Sequence, residues 1–249
     1  MKVATWNVNG IRARMEQVAA WLETEQPDVL CLQEIKASPD QLEDTLFALS
    51  AYTSYWHGAK GGYSGVSVHL RRGAFPEPPA FSHPSFDAEN RIVVATLGDA
   101  LFASVYVPNG GKDYAAKMTF LEALAAWTRE TCAAGKKLVV CGDLNVARDD
   151  IDVHPSQRKA DAIGQRPEER ALFAKMLEGG LVDVGRALAP EDDRLFSWWP
   201  YWRQARERNL GWRIDYVLAS RALAAKATEC AVRRAVGTSD HAPVVAVFA

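Results

Sequence analysis

The sequence is organised around the stretch KLVVCGDLN, which runs from Lys137 to Asn145. Its first part is a short apolar run rich in valine, which is typical of a buried β-strand. A carboxylate and an amide, Asp143 and Asn145, follow directly at the end of that run. Burying a charge is unfavourable unless it is paired or binds a cation, and α/β proteins bind ligands beyond the carboxyl ends of their strands. We therefore expect chemistry at Asp143 and Asn145.

The composition is ordinary for a soluble globular protein. The chain has 249 residues, of which 48% are hydrophobic and 24% charged, so we expect residues 1–249 to form a single α/β domain. The net charge of −2 provides no overall positive field, so a polyanionic partner would have to meet a local basic surface. The cysteines lack CxxC spacing, and Cys31 and Cys141 are expected to be small buried side chains. The absence of a signal-peptide pattern and of a long apolar run predicts a cytoplasmic protein.

The hydrophobic pattern predicts strands that alternate with helices. Strands are predicted at residues 2–8, 29–33, 53–57, 65–70, 91–97, 101–107, 138–142, 213–219, 227–233 and 244–248. Helices are predicted at residues 11–25, 38–49, 113–134, 167–177 and 181–188. A proline-rich loop is predicted at 75–84, and a hairpin turn at 60–63 in preference to a phosphate-binding glycine loop. We favour two sheets packed face to face, with helices outside, over one doubly wound sheet.

Polar side chains follow most of these strands, and their types suggest phosphodiester chemistry. They are Asn7, Glu34, Tyr106, Asp143, Asn145, Asp215, Asp240 and His241. Oxygen donors are typical ligands of Mg²⁺ or Mn²⁺, and Glu34 and Asp240 are our candidate carboxylate ligands. His241 could activate water or donate to a phosphoryl oxygen if a carboxylate, for which Asp215 is plausible, orients its ring. Amides can position the water or the phosphate, and Tyr106 can donate to the phosphate.

Several other polar residues are expected to have structural roles. The isolated histidines are expected to be structural or exposed: His57, His69, His83 and His154. The acids of one polar loop are expected to cap and turn the chain rather than to bind metal: Asp149, Asp150 and Asp152. Glu89 and Arg91 are expected to form an ion pair at a strand start, without an assigned function.

A late loop is dense in aromatic and basic residues. It contains Trp198, Trp199, Tyr201, Trp202, Arg203, Arg206, Arg208, Trp212 and Arg213. Arginines bind phosphates, and aromatic rings stack on bases or line a sugar pocket, so the loop favours a nucleic-acid substrate. An aromatic core patch is the alternative, to which Trp199 or Trp202 would belong.

Five blocks, in chain order, resemble the signature segments of exonuclease III-type abasic-site endonucleases. They are WNVNGIR at 6–12, LQEIK at 32–36, GDLN at 142–145, WRIDY at 212–216 and SDHAP at 239–243. That family belongs to the endonuclease/exonuclease/phosphatase superfamily. The resemblance implies a four-layered α/β sandwich, in which two mixed β-sheets pack face to face with helices outside.

The resemblance also implies roles for the matched residues. Glu34 resembles the principal metal ligand, with Asn7 and Asp240 close by, and Asp143 resembles the residue that activates or positions the attacking water. The other matched residues are Asn145 beside that water, Tyr106 on the phosphate, the pair Asp215 and His241, and the abasic-sugar pocket of Trp198, Trp212 and Ile214. We assign Arg206 and Arg208 to DNA binding. Asn9 stands where some relatives carry an aspartate, which weakens the case for a second metal position.

The resulting prediction is a Mg²⁺-dependent DNA repair nuclease, for which Mn²⁺ could substitute, without another bound cofactor. It would cleave the phosphodiester 5′ to abasic sites and remove nucleotides or blocking groups from DNA 3′ ends in base excision repair. We expect it to act as a monomer on duplex DNA, away from membranes. The alternatives are an inositol or lipid phosphate phosphodiesterase or phosphatase of the same superfamily, which should lack the arginine–tryptophan loop, and an inactive DNA-binding protein.

Overall fold

Two mixed sheets of six strands each form the centre of the computed structural model, which describes residues 1–42, 49–58 and 62–249. The first sheet has the strand order β11-β12-β1-β2-β4-β3, and the second has the order β5-β6-β7-β8-β10-β9. The strands are β1 Lys2–Asn7, β2 Val29–Gln33, β3 Tyr52–His57, β4 Val66–Arg71, β5 Ala80–Ser82, β6 Ile92–Leu97, β7 Ala100–Tyr106, β8 Lys137–Asp143, β9 Leu181–Asp183, β10 Asp215–Ser220, β11 Ala227–Val232 and β12 Val244–Phe248. The last two strands therefore complete the sheet that the first four begin.

Helices cover the outer faces of both sheets. They are α1 Met15–Glu25, α2 Tyr114–Ala133, α3 Pro167–Glu178, α4 Val184–Leu188 and α5 Arg221–Ala224, with short 3₁₀ turns at Pro39–Gln41, Asp150–Asp152 and Pro155–Gln157. The side chain of Asp113 caps α2 by accepting a hydrogen bond from the backbone N–H of Ala116. None of the helices in the described residues has the length and apolar character that a membrane span requires.

The core is divided into layers because side chains alternate between the two faces of a strand. In β2, Cys31 faces the second sheet within one apolar cluster, whereas Leu30 and Leu32 pack against α1 in another. A third cluster joins the outer face of the second sheet to α2 and α3. The layers are thus helix, sheet, sheet and helix, and the predicted four-layered α/β sandwich is confirmed. The prediction that Cys31 and Cys141 are buried is also confirmed.

Three predicted elements differ from the structure. The proline-rich segment 75–84 contains the strand Ala80–Ser82 at the edge of the second sheet, a position that tolerates neighbouring prolines. Residues 181–183 form a strand rather than the start of a helix, because they pair with β10. The helix predicted at 38–49 contains a 3₁₀ turn at Pro39–Gln41; its residues 43–48, and residues 59–61 at the predicted hairpin turn, lie outside the described residues.

Strand register brings the predicted site residues to one edge of the sandwich. In the second sheet, Tyr106 and Asp143 end the parallel strands β7 and β8 and are paired in register. Asp215 begins the antiparallel strand β10 directly opposite Asp143. In the first sheet, Asn7 ends β1 beside the end of β2, after which comes Glu34. Two rows of polar side chains therefore face each other across the sandwich.

Candidate active site

Asn7 links the two sheets at this edge. Its side-chain amide donates to Oε1 of Glu34 at 2.8 Å and to Oδ2 of Asp143 at 2.9 Å. One amide group thus holds a carboxylate from each sheet in place. Asn7 itself is fixed because its side-chain oxygen accepts from the backbone N–H of Asn9 at 3.0 Å.

Glu34 is an ionised carboxylate in a constrained backbone position. Its φ of 49° lies in the left-handed region, which turns the chain sharply after β2. Burial works to raise its pKa, but hydrogen bonds from Asn7 and Lys36 and the nearby His241 outweigh burial and lower the pKa below its ordinary value. The Lys36 ammonium lies 2.7 Å from Oε2 of Glu34. Glu34 therefore offers a stable negative charge to a cation.

His241 lies between two aspartates of the second sheet. Its Nδ1 is 2.9 Å from Oδ2 of Asp215, and its Nε2 is 3.8 Å from Oδ2 of Asp143. Burial disfavours the charged ring, but Asp215, Asp143 and Asp240 together outweigh burial and raise the pKa of His241 to about 10. The imidazole is therefore a charged donor at neutral pH, with Nε2 directed toward Asp143.

Asp143 has the unusual titration expected of a buried acid. Burial, together with the charges of Asp215 and Glu34, raises its pKa to about 7, although His241 opposes the change. Its Oδ1 accepts from the backbone N–H of Asn145 at 2.9 Å. An acid whose pKa lies near neutrality can exchange a proton with water at working pH.

Tyr106 contacts a buried arginine, Arg91, which comes directly before the neighbouring strand β6. Burial and the charges of Glu34 and Asp143 raise the pKa of Tyr106 well above its ordinary value, so its hydroxyl stays protonated as a donor. The guanidinium carbon of Arg91 lies 4.9 Å from the centre of the Tyr106 ring. Arg91 also forms the predicted ion pair with Glu89 at 2.8 Å, so that prediction is confirmed.

A cavity of about 280 Å³ opens between the two rows. Its lining consists of Glu34, Tyr106, Asn109, Asp143, Asn145, Ile163, Trp198, Trp212, Ile214, Asp240 and His241. The rings of Trp198 and Trp212 meet edge to face with centres 5.6 Å apart and form an apolar wall beside the polar groups. The indole N–H of Trp198 also donates to Asp240 at 3.1 Å. Tyr106, Asp143, Asn145, His241 and the three pocket residues predicted from sequence thus surround one space.

The arginines of the aromatic loop lie elsewhere. Arg206 donates to the backbone carbonyls of Arg234, Val236 and Ser239 and is not among the cavity-lining residues. Arg208 is exposed and also lies outside the lining. Arg213 is buried in ion pairs with Asp152 and Asp183.

The alternative of an aromatic core patch is correct in part. Trp199 is buried in a small apolar cluster, whereas Trp202 is 53% exposed. The predicted capping role of the polar loop holds for Asp152, whose side chain accepts from the backbone N–H of Asp149 at 3.2 Å beside a 3₁₀ turn. Asp152 also forms buried ion pairs with Arg186 and Arg213.

The donor groups fit a divalent cation at Glu34. Ligand atoms of Glu34, Asp143 and His241 lie within 4.8 Å of one another. A charged imidazole cannot bind a metal ion, so the carboxylates are the groups able to hold it. Three buried carboxylates around one imidazole leave an excess of negative charge that a cation would relieve. Asp240 is engaged by Asn9 at 2.9 Å and by Trp198, and its role as a ligand, like that of Asn7, stays a prediction.

Three supporting residues were not predicted from the sequence. Ser197 donates to Asp215 at 2.6 Å, and its single hydroxyl carries no motif that would have revealed this. Lys117 donates to the backbone carbonyl of Asn145 at 2.7 Å while paired with buried Glu169. Its position on the predicted helix face was the available signal, since a buried lysine requires partners.

A larger cavity, of about 860 Å³, lies far from this chemistry. It is lined by Arg129, Lys136 and Lys175, near the C-terminal ends of α2 and α3. Cations at helix C-termini offset the helix dipole. This cavity contains no imidazole and no group of carboxylates in its lining, so the smaller cavity is the candidate active site.

Comparisons with known proteins agree with this geometry. Residues 4–241 match the profile of the Endonuclease/Exonuclease/phosphatase family. An exodeoxyribonuclease of Bacillus subtilis (strain 168) is 34% identical over 252 residues, which cover 98% of this chain and 98% of the relative.

Two solved structures also share the whole fold. An AP endonuclease from Archaeoglobus fulgidus is 33% identical with a TM-score of 0.89, covering 100% of this chain and 99% of that one. The 3′ phosphatase NExo from Neisseria, bound to a product DNA hairpin, is 32% identical with a TM-score of 0.90 and the same coverage. This chain therefore belongs to the endonuclease/exonuclease/phosphatase family.

Proposed function

We propose that this protein is a Mg²⁺-dependent DNA repair nuclease that cleaves the phosphodiester 5′ to abasic sites and trims DNA 3′ ends. The observation that carries the proposal is the arrangement of His241 and Asp143 at one end of a cavity whose wall is formed by Trp198 and Trp212. The polar end suits a phosphodiester, and the indole wall suits a sugar that has lost its base. The similar proteins, named as an AP endonuclease, an exodeoxyribonuclease and a DNA-bound 3′ phosphatase, support this substrate class.

The proposed roles of the site residues follow from the protonation states of their side chains. Asp143, with a pKa of about 7, orients the attacking water and accepts its proton. Charged His241 donates from Nε2 to a phosphoryl oxygen, and Asp215 keeps its ring in position through Nδ1. The hydroxyl of Tyr106 donates a hydrogen bond to another phosphoryl oxygen, and Asn145 holds Asp143 through its backbone N–H. A cation held at Glu34 would offset the negative charge that develops as the water adds to phosphorus and the 3′ oxygen leaves.

The chemistry also favours Mg²⁺ as the ion at Glu34. Mg²⁺ uses one or two carboxylates and completes its coordination with water and substrate phosphate, which matches a site with few protein oxygens. Manganese prefers the same donors and should substitute for it. The site draws residues from both sheets and from 7 to 241 along the sequence, which supports a single domain. We further propose that the protein acts as a cytoplasmic monomer.

One assay separates this function from the inositol or lipid phosphate alternative. The protein is incubated with Mg²⁺ and, separately, with an abasic duplex, an undamaged duplex with a recessed 3′ end, and an inositol phosphate. We expect incision of the abasic duplex and trimming of the 3′ end, both of which stop on addition of EDTA. Phosphate release from the inositol compound without DNA cleavage would refute the proposal, and DNA binding without any cleavage would support the inactive-protein alternative.

A further inference from the structure

Two histidines and an aspartate that are far apart in sequence meet at the rim of the sandwich. Ligand atoms of His57, His83 and Asp87 lie within 4.8 Å of one another. His57 ends β3 in the first sheet, whereas His83 follows β5 and Asp87 precedes β6 in the second sheet. The cluster therefore joins the two sheets, and it shares no residue with the lining of the active-site cavity.

The carboxylate of this cluster is buried and needs a positive partner. The Asp87 side chain is 1% exposed, and its Oδ2 lies 2.5 Å from Nε2 of His57. Its other oxygen accepts from the backbone N–H of Arg91 at 2.8 Å. In the described part of the chain, His57 is the only basic side chain that pairs with Asp87. A bound cation would offset the charge of this buried carboxylate.

Contacts around the three groups restrict their orientation. Nδ1 of His57 lies 3.2 Å from the side-chain amide of Asn90, which can present either its nitrogen or its oxygen to the ring. The His83 ring stacks on the His57 ring with centres 4.1 Å apart. His83 is exposed, so the cluster is open to water on that side. Metal-binding histidines and carboxylates are usually oriented by such outer contacts.

We propose that His57, His83 and Asp87 form a second metal site, which takes a late first-row divalent cation such as Zn²⁺. Imidazole and carboxylate together suit Zn²⁺, and three protein ligands leave a fourth position for water. Mg²⁺ is a poor match because it prefers an all-oxygen shell. A metal ion at this site would fasten the end of β3 to the segment before β6.

The proposed metal site is connected to the candidate active site through Arg91. Asp87 holds the backbone of Arg91, and the guanidinium of Arg91 lies against the Tyr106 ring. A metal bound to Asp87 would thus restrict the strand start that positions Tyr106. This proposal rests on the His57 cluster alone and stands independently of the nuclease function.

The test compares Zn²⁺ binding by the wild-type protein, His83→Ala and the matched control His154→Ala. His154 is a histidine outside the cluster, whose ring nitrogen contacts Ser156 at 2.8 Å. Zn²⁺ is titrated against a chromophoric chelator, and thermal unfolding is followed with and without Zn²⁺. Any Zn²⁺ that binds near Glu34 is common to all three proteins, so the difference between the variants reports the second site.

We expect His83→Ala to bind one Zn²⁺ ion fewer, or to bind it at least about tenfold more weakly, than the wild type and His154→Ala. Zn²⁺ should raise the Tm of the wild type and of His154→Ala by roughly 3–8 °C more than that of His83→Ala. Because His83 is exposed, its replacement should leave the circular dichroism spectrum unchanged. Equal Zn²⁺ stoichiometry, affinity and Tm response in all three proteins would overturn the proposal.

Discussion

Ser197 donates a hydrogen bond of 2.6 Å to Oδ2 of Asp215, the same oxygen that lies 2.9 Å from Nδ1 of His241. The other oxygen of Asp215 is buried without a hydrogen-bond partner in the described structure. The orientation of the Asp215 carboxylate therefore depends on Ser197, and the orientation of the His241 ring depends on that carboxylate. Ser197 is a positioning residue in the proposed site.

Replacing Ser197 by alanine should reduce turnover without abolishing binding of DNA. Loss of one hydrogen bond to a charged group is expected to lower kcat for abasic incision roughly 10- to 100-fold, with a smaller change in KM. The matched control is Ser220→Ala, since the Ser220 hydroxyl is buried but has no hydrogen-bond partner. Steady-state kinetics of both variants should show the loss only for Ser197→Ala; an equal loss in both would mean that the effect is general destabilisation.

The variant Asp143→Asn should lose cleavage but retain DNA binding. An amide cannot accept the proton of the attacking water, so kcat should fall by at least about 10³-fold, while Kd for an abasic duplex stays similar. Asp99→Asn is the control, because Asp99 lies in an exposed hairpin and pairs only with Lys137 among the described residues. Fluorescence anisotropy measures binding, and gel assays measure incision. Full activity of Asp143→Asn would contradict its assignment.

Trp212→Ala should impair abasic incision more than 3′ trimming. The Trp212 ring forms part of the apolar wall, and its indole N–H is held by Gln157 at 2.6 Å. Removing a stacking wall should weaken kcat/KM for the abasic substrate by roughly 10- to 100-fold, with a smaller loss for an undamaged 3′ end. Trp127→Ala removes a half-buried tryptophan from helix α2 as a control. Equal losses on both substrates would argue against the sugar-pocket role.

His69 should make the protein less stable in mild acid. Burial lowers the pKa of His69 to about 3 from its ordinary 6.5, and its ring nitrogens contact Ser67 and Ser54. Below pH 6.5, His69 is protonated in the unfolded chain but stays neutral in the folded protein. The free energy of unfolding therefore decreases as pH falls. Between about pH 7.5 and about pH 5.5 the loss from this residue should be roughly 1.4 kcal/mol.

Urea unfolding of the wild type and of His69→Gln at the two pH values measures this contribution. The wild type should lose more free energy of unfolding than the variant on acidification. Parallel losses would show that His69 is protonated in the folded protein or is not the titrating group.

Several of the candidate site residues could be predicted from the sequence because they lie at the end of an apolar strand. Asn7, Glu34 and Asp143 were identified as the polar ends of β1, β2 and β8, and strand register alone then places them at one edge of the fold. The predicted order of strands and helices likewise favoured two sheets packed face to face with helices outside. The prediction for residues 181–183 was wrong. They were assigned to a helix, because their pairing with β10 is not encoded in a periodic pattern.

Partners that meet only through tertiary packing were not accessible from the sequence. Ser197 and Ile163 lie in loops, and their closeness to the site depends on how those loops fold over the edge of the sheet. His57 and His83 were interpreted as isolated residues because 25 positions and a change of sheet separate them. The guanidinium of Arg206 donates to backbone carbonyls of a neighbouring loop, which composition does not reveal, and its contact with DNA stays a prediction.

The bonds from Asn7 to Asp143 and from His241 to Asp215 each cross from one sheet to the other. Contacts between residues so distant along the chain form late in folding, because their loop-closure entropy must be offset first. A partly folded chain with only one sheet in place would lack the bond from Asn7 to Asp143 and the aspartate that orients His241. The ability to hydrolyse DNA should therefore appear only when folding is complete. Partly folded or misfolded copies of the nuclease would then not cleave the genome.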